Sequence, residues 1–333
     1  MINTLTSDDY KQKNQQELAI YAKKVNVHDL PDIYHYWSNK YLAPLLLEAG
    51  YRTIVNFFSS SLLKARNRTG SSVANFVSVG AGNCDSEVTV AKNLVDAGFR
   101  DFILECLEIN PVMLERGKEI ARENKVLSNM RFVEADFNTW VAEKKYDGVM
   151  ANQSLHHVTR LEHLFNQIST GLHAEGSFVI SDMIGRNGHQ RWPESLEIVN
   201  KYWKELPENY KFNVLLNRLE EEYDNWDCSK EGLEGIRAQD VLPLLMERFQ
   251  CEIFIGFSSA IDIFVDRCFG HNFNPAGEWD RELIDKVHAE DEAGLVGGKL
   301  TPTHMFAVFA KCQVGVPYYS RNLAPEACIR RSE

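Results

Sequence analysis

Two acids that each close a β-prone run, Glu108 and Asp136, and a glycine pair that follows another such run, Gly80 and Gly82, combine residue types and spacing suited to chemistry. A carboxylate at the end of a strand can accept hydrogen bonds from both hydroxyls of a ribose, and ligands of open parallel sheets bind outside the carboxyl ends of the strands. The glycines meet a different need. The chain must turn sharply and let a ligand approach its backbone, and the free N–H groups of the helix that follows favour anionic groups. His156 and His157, after a fourth apolar run, are candidate general bases, with a structural or backbone role as the alternative. His35 and His271 are further candidates. Arg186, His189 and Arg191 share a glycine-containing polar loop after a fifth run. A guanidinium matches a carboxylate or phosphate bidentately, so this loop is a candidate substrate-anion site, with surface ion pairs as the alternative.

An α/β scaffold would position these residues. Strands over 76–79, 102–109, 131–135, 146–151 and 177–183 alternate with helices over 86–97, 111–124 and 161–172, the pattern of a doubly wound parallel sheet. Pro111 suits the first turn of its helix. The sheet resumes over 251–257, with 261–265 extending its edge, and closes with a strand over 303–310. Residues 73–184 thus form the core, and residues 1–72 an N-terminal helical cover, with helices over 1–25 and 54–65. Its aromatic stretch 34–41 places Tyr36 among the candidate substrate contacts. Residues 185–250 are too long for an ordinary connection and read as a helical substrate-cap insertion, with helices over 195–206 and 214–223 and another through Leu242, Leu245 and Phe249. Residues 251–333 return to the core, with an inserted helix over 279–291 and a tail.

On these residues the chain resembles the class I S-adenosylmethionine-dependent methyltransferases. The resemblance implies a Rossmann-like seven-stranded sheet whose last strand runs antiparallel, and S-adenosyl-L-methionine as cofactor. Residue by residue, Gly80, Ala81 and Gly82 match the turn beside the cofactor's methionine part, and Glu108 with Ile109 matches the ribose site. Asp136 and Phe137 match the adenine site, and Asn152 and Gln153 the loop after the fourth strand. The loops at 185–193, 224–240 and 301–306 resemble those of bacterial methyltransferases. Two positions depart from the pattern: Ser78 stands where many members carry an acid, and Cys84 where a third glycine is usual. Asp85 or an N-terminal residue is then the expected substitute partner for the amino-acid end of the cofactor. Those departures also leave open a non-catalytic regulatory protein that binds the cofactor. A nicotinamide-dependent Rossmann enzyme fits less well, because Asp85 occupies its third glycine position and Glu108 follows Gly80 by 28 residues, against roughly 20 in that fingerprint.

Composition narrows the acceptor. The formal charge is −11 with no lysine-arginine tract, which argues against an extended nucleic-acid surface. A small, anionic metabolite is the expected substrate. No apolar run approaches the roughly 20 residues of a membrane span, and the polar N-terminus does not read as a signal peptide, so a cytoplasmic location is expected. The seven cysteines form no C-x-x-C pair, and reduced thiols are the expectation. Ten histidines show no H-x-x-x-H or H-E-x-x-H spacing, and no metal site is expected from them. Oligomeric state is not legible.

Overall fold

The computed structural model describes residues 7–23, 30–230, 232–313 and 315–330. Helix α1 (Ser7–Lys23) is followed by α2 (Asp32–Trp37), which runs through a π turn into α3 (Ala43–Glu48), and by α4 (Ile54–Thr69). The α/β alternation then reads β1 (Ala74–Val79), α5 (Asp85–Asp96), β2 (Phe102–Glu108), α6 (Pro111–Glu123), β3 (Met130–Glu134), β4 (Tyr146–Asn152), α7 (Leu161–Gly171) and β5 (Leu172–Met183). After α8 (Pro193–Glu205) come the short strands β6 (Phe212–Asn213) and β7 (Arg218–Leu219), then α9 (Ala238–Arg248) and β8 (Gln250–Phe257). The chain closes with α10 (Asp262–Val265), α11 (Glu278–Val296), β9 (His304–Ala310) and β10 (Tyr318–Tyr319).

The main sheet has the order β10-β8-β9-β5-β4-β1-β2-β3. Strand β9 pairs antiparallel with both β5 and β8, while the other pairs are parallel. The expected antiparallel closing strand is present, but the sheet has eight strands rather than seven. The eighth comes from the tail, where Tyr318 and Tyr319 pair with Ile253 and Phe254 on the outer edge of β8. A two-residue strand offers no periodicity for sequence reading to detect.

Successive strand residues point to opposite faces, so each strand feeds two cores. Phe76, Met150, Val179, Ile255 and Phe306 join one cluster with Phe57 and Leu62 of α4, Val88 of α5 and Leu114 of α6. Val77, Val149, Phe178, Phe254 and Met305 join the other, with Leu164 and Phe165 of α7 and Val241 and Leu245 of α9. Helix α4, from the expected cover, and α9, from the expected cap, are therefore layers of the core itself. Gly148 leaves the space that Leu62 fills.

Two local expectations are corrected. Residues 214–223 do not form a helix: Asn213 Oδ1 accepts the Leu216 N–H at 3.0 Å, Asn217 turns with φ +50°, and β6 pairs with β7 as a hairpin. Asparagine tolerates that left-handed conformation and bonds its own turn, which outweighs the apolar spacing. Residues 261–265 do not extend the sheet either. They form α10, where Asp262 faces Arg191 and Thr303.

Candidate active site

The glycine turn after β1 is built for close approach. Gly80 has φ +72°, and a methyl there would overlap the Cβ of Ser154, with the Phe137 ring also in contact. The N–H groups of Gly80 and Ala81 both bond the Leu107 carbonyl at 3.0 Å, which ties the turn to the end of β2. Glu108 then holds the turn from both sides: Oε2 accepts the Gly82 N–H and Oε1 the Asn110 N–H, each at 2.9 Å. Ile109 beside it is half-buried. At the tip of β3, Asp136 Oδ1 accepts the Asn138 N–H at 2.8 Å. Asn152 donates to Ser86 Oγ at 3.1 Å, and Gln153, in left-handed backbone at φ +55°, donates to Ser181 Oγ at 3.2 Å. The glycine turn, Glu108 and Asp136 thus lie at the ends of neighbouring strands.

Both departures from the family pattern have a structural account. Cys84 itself takes the left-handed conformation, φ +60°, and its sulfur packs where Gly117 of α6 leaves room. Ser78 donates to Glu87 Oε1 at 2.7 Å, so α5 brings a buried carboxylate to the position where β1 lacks one. Burial raises the Glu87 carboxyl to about 7, with Asp85 and Glu108 adding to the shift and the Ser78 hydrogen bond opposing it. Glu87 was missed because nothing local in the sequence marks it.

A second cluster stands beside the first. Ser154 Oγ bonds the Val79 carbonyl, and the chain turns at once into the histidine pair. Asp182, buried at the end of β5, shapes that turn: Oδ2 accepts the N–H groups of Ser154 at 2.9 Å and Leu155 at 2.7 Å, and Oδ1 meets His156 Nδ1 at 2.6 Å. The other nitrogen, His156 Nε2, faces Glu234 Oε1 at 3.2 Å. His189 Nε2 lies 2.7 Å from the same oxygen, and His157 Nε2 lies 3.6 Å from Glu234 Oε2. Glu234, 40% exposed, sits at the open rim, whereas His156 is 3% exposed. Burial opposes a charge on His156, but Asp182 first and Glu234 next outweigh it and raise the imidazole to about 10. Burial keeps His189 below its ordinary value, with Glu234 only partly offsetting it. Burial likewise disfavours charge on Glu234, yet His157, His156 and His189 hold its carboxyl well below the usual range. His304, at the start of β9, is pushed down to about 4 chiefly by burial.

The backbone is committed to this meeting. Gly188, at φ +64°, donates to the Gly235 carbonyl at 2.8 Å, and a side chain on it would overlap Asp227. The two loops therefore interlock one residue away from His189 and Glu234. Sequence reading singled out His156, His157 and His189 but had no signal for Glu234, which lies 45 residues from His189.

Other expected contacts are placed elsewhere. Arg191 is buried, ion-paired to Asp262 and bonded to the carbonyls of Ser259 at 3.0 Å and His189 at 2.6 Å, so it braces the loop rather than presenting itself to an anion. Tyr36 spends its hydroxyl on Asp285 of α11, at 2.9 and 3.0 Å. Tyr41 stacks on His288 at 3.7 Å, and the aromatic stretch fastens α2 to α11. Arg186 is half-buried over the Trp192 ring. Helix α1, where sequence reading saw no chemistry, contacts the loops beside this edge. Tyr10 Oη accepts from Asn138 at 2.9 Å, and Lys13 donates to the Gly232 carbonyl at 2.9 Å and to that of Ser229.

The profile of a family described as a methyltransferase domain matches residues 75–236, which span β1 through the loop bearing Glu234. Over these residues the chain is similar to a methyltransferase domain. S-adenosylmethionine is the cofactor that the sequence resemblance implies, and the Gly80 turn and Glu108 suit that group. No curated protein sequence matches the chain. Among solved structures, the N-methyltransferase NodS from Bradyrhizobium japonicum, in complex with S-adenosyl-L-homocysteine, is 11% identical. The match covers 90% of this chain and 100% of that one, with a TM-score of 0.45. A geranyl diphosphate C-methyltransferase from Streptomyces coelicolor, in complex with Mg2+, geranyl diphosphate and S-adenosyl-L-homocysteine, is 12% identical over 76% of this chain and 77% of its own, with a TM-score of 0.44. No helix among the described residues is long and apolar enough to cross a membrane.

Proposed function

We propose that this methyltransferase acts on a small anionic metabolite held between the cofactor edge and the His156, His157, His189 and Glu234 cluster. The observation that carries the reading is adjacency: Ser154 touches the Gly80 turn and lies two residues before His156. The bound cofactor supplies an electrophilic methyl group, and methyl transfer then depends mainly on holding the acceptor in line. In this reading His157 receives the acceptor's proton, because it is the more open of the pair, 15% exposed against 3% for His156. His156, closed off between Asp182 and Glu234, is a positioning residue. Arg186 is the arginine left to meet an anion, since Arg191 is engaged by Asp262. Helix α1 closes the site by bridging Asn138 and the carbonyls of Ser229 and Gly232, and a closed pocket suits a small acceptor.

The test is a panel of small organic acids, phenols and phosphates scored by release of S-adenosylhomocysteine. His157→Ala should lower turnover with cofactor affinity unchanged, and Arg186→Ala should raise the acceptor's KM. Methylation of tRNA or intact protein that is indifferent to both changes would overturn the reading.

A further inference from the structure

We propose that His156, His189 and Glu234 form a mononuclear site for a divalent first-row transition metal. Their three candidate ligand atoms lie within 4.8 Å of one another, with His156 Nε2 and His189 Nε2 at 3.2 and 2.7 Å from Glu234 Oε1. Bonds of about 2.0–2.2 Å to a tetrahedral ion imply ligand–ligand edges of about 3.3–3.6 Å, so a slight opening of the His189 side admits the cation. Two imidazoles and one carboxylate leave a position open for an exchangeable ligand, as in catalytic zinc centres and in non-haem iron triads.

Three further features suit a metal. Asp182 Oδ1 takes the Nδ1 side of His156 at 2.6 Å, which turns Nε2 toward Glu234 as the nitrogen for a metal and is the outer carboxylate that metal-bound histidines commonly have. Asp182 and Glu234 bring two carboxylates to the histidines, and a dication bound there would meet both, one directly and one through His156. The ligands arrive on three separate loops, and the Gly188 to Gly235 interlock holds two of them together. Imidazole donors favour Zn2+, Fe2+, Co2+ or Ni2+ over Mg2+, which prefers oxygen and water.

The site goes beyond the acceptor reading and is tested without cofactor or acceptor, so failure of either leaves the other standing. The full chain would be assayed for metal by mass spectrometry as purified, then stripped with a chelator and titrated with Co2+ and Zn2+. Visible ligand-field absorption of Co2+ and competition by Zn2+ report binding. One ion per chain is expected. Asp182→Asn should weaken binding about 10- to 100-fold, and Glu234→Gln and His189→Ala by at least as much, with circular dichroism as the folding control. Glu234→Gln is near-isosteric at a partly exposed position, so it separates loss of ligand from loss of fold. No Co2+ or Zn2+ bound by stripped wild-type protein, or binding that survives both Glu234→Gln and His189→Ala, would overturn the site. So would a preference for Mg2+.

Discussion

The two halves of the sheet's carboxyl edge are built differently. At the tips of β1, β2 and β3 each acid is fixed by nearby backbone: Glu108 by Asn110 and the adjoining turn, Asp136 by Asn138. At the tips of β4 and β5 the groups that meet come from remote loops, with Glu234 reaching His156 across 78 residues of chain. The first half is a local motif repeated at successive strand ends, and the second exists only once the loops interlock. Damage to loop packing should therefore strike the second half and spare the first.

Gly188→Ala is the sharpest test of that division. Its side chain would overlap Asp227 from a left-handed backbone, pushing His189 away from Glu234. A displacement of about 1 Å in a catalytic array costs on the order of 100-fold. Turnover should fall by that factor while calorimetry shows S-adenosylhomocysteine binding within about twofold, if local bonds alone hold the cofactor edge, as argued. Equal losses in both measurements would break the comparison.

The next effect belongs to the cofactor half and is read as stability. Glu87 faces Ser78, Asp85 and Glu108, and its folded-state carboxyl is raised from 4.5 to about 7. A group raised on folding contributes stability that is fully present below its unfolded value and is lost as pH rises through its folded value. Between pH 5 and 8 this amounts to about 2 to 3 kcal/mol. Asp291, also raised to about 7 by burial, contributes in the same direction, so the difference between wild type and Glu87→Gln isolates Glu87. The variant should show a flatter pH profile of its urea midpoint, and parallel profiles would refute the role of Glu87.

Glu108→Ala removes the acceptor that holds the Gly82 turn and, by the resemblance, the ribose hydroxyls. The expected loss of cofactor affinity is about 1.5 to 3 kcal/mol, with the Co2+ titration unaffected. A change in metal binding would show that the halves are coupled. The smallest effect is at Lys13, whose contacts with Ser229 and Gly232 join α1 to the loop before Glu234. Lys13→Ala should cost about 1 kcal/mol, seen as faster amide exchange in α1 and the 228–236 loop with no change at β1 to β3.

Sequence alone determined the cofactor edge, because its physics is short-range. An apolar run, two glycines and an acid at a strand end specify strand, turn and acid position within a few residues, and the strands and the turn fall where they were expected. The departures at Ser78 and Cys84 show the limit even there. Cys84 accepts a left-handed backbone only because Gly117 of another helix leaves it space, and the acid missing at 78 is met by Glu87. Elsewhere tertiary structure decided. Arginine chemistry marked Arg191 as an anion holder, but burial beside Asp262 committed it to the loop. Aromatic composition marked Tyr36 as a substrate contact, but Asp285 of α11 claimed it. The partner that unites the histidines, Glu234, carries no local signal, since a carboxylate in a polar loop looks the same whether it faces water or three imidazoles. Periodicity and turn chemistry act over a few residues, whereas the meeting of His156, His189 and Glu234 depends on where separate loops end after the two cores have packed.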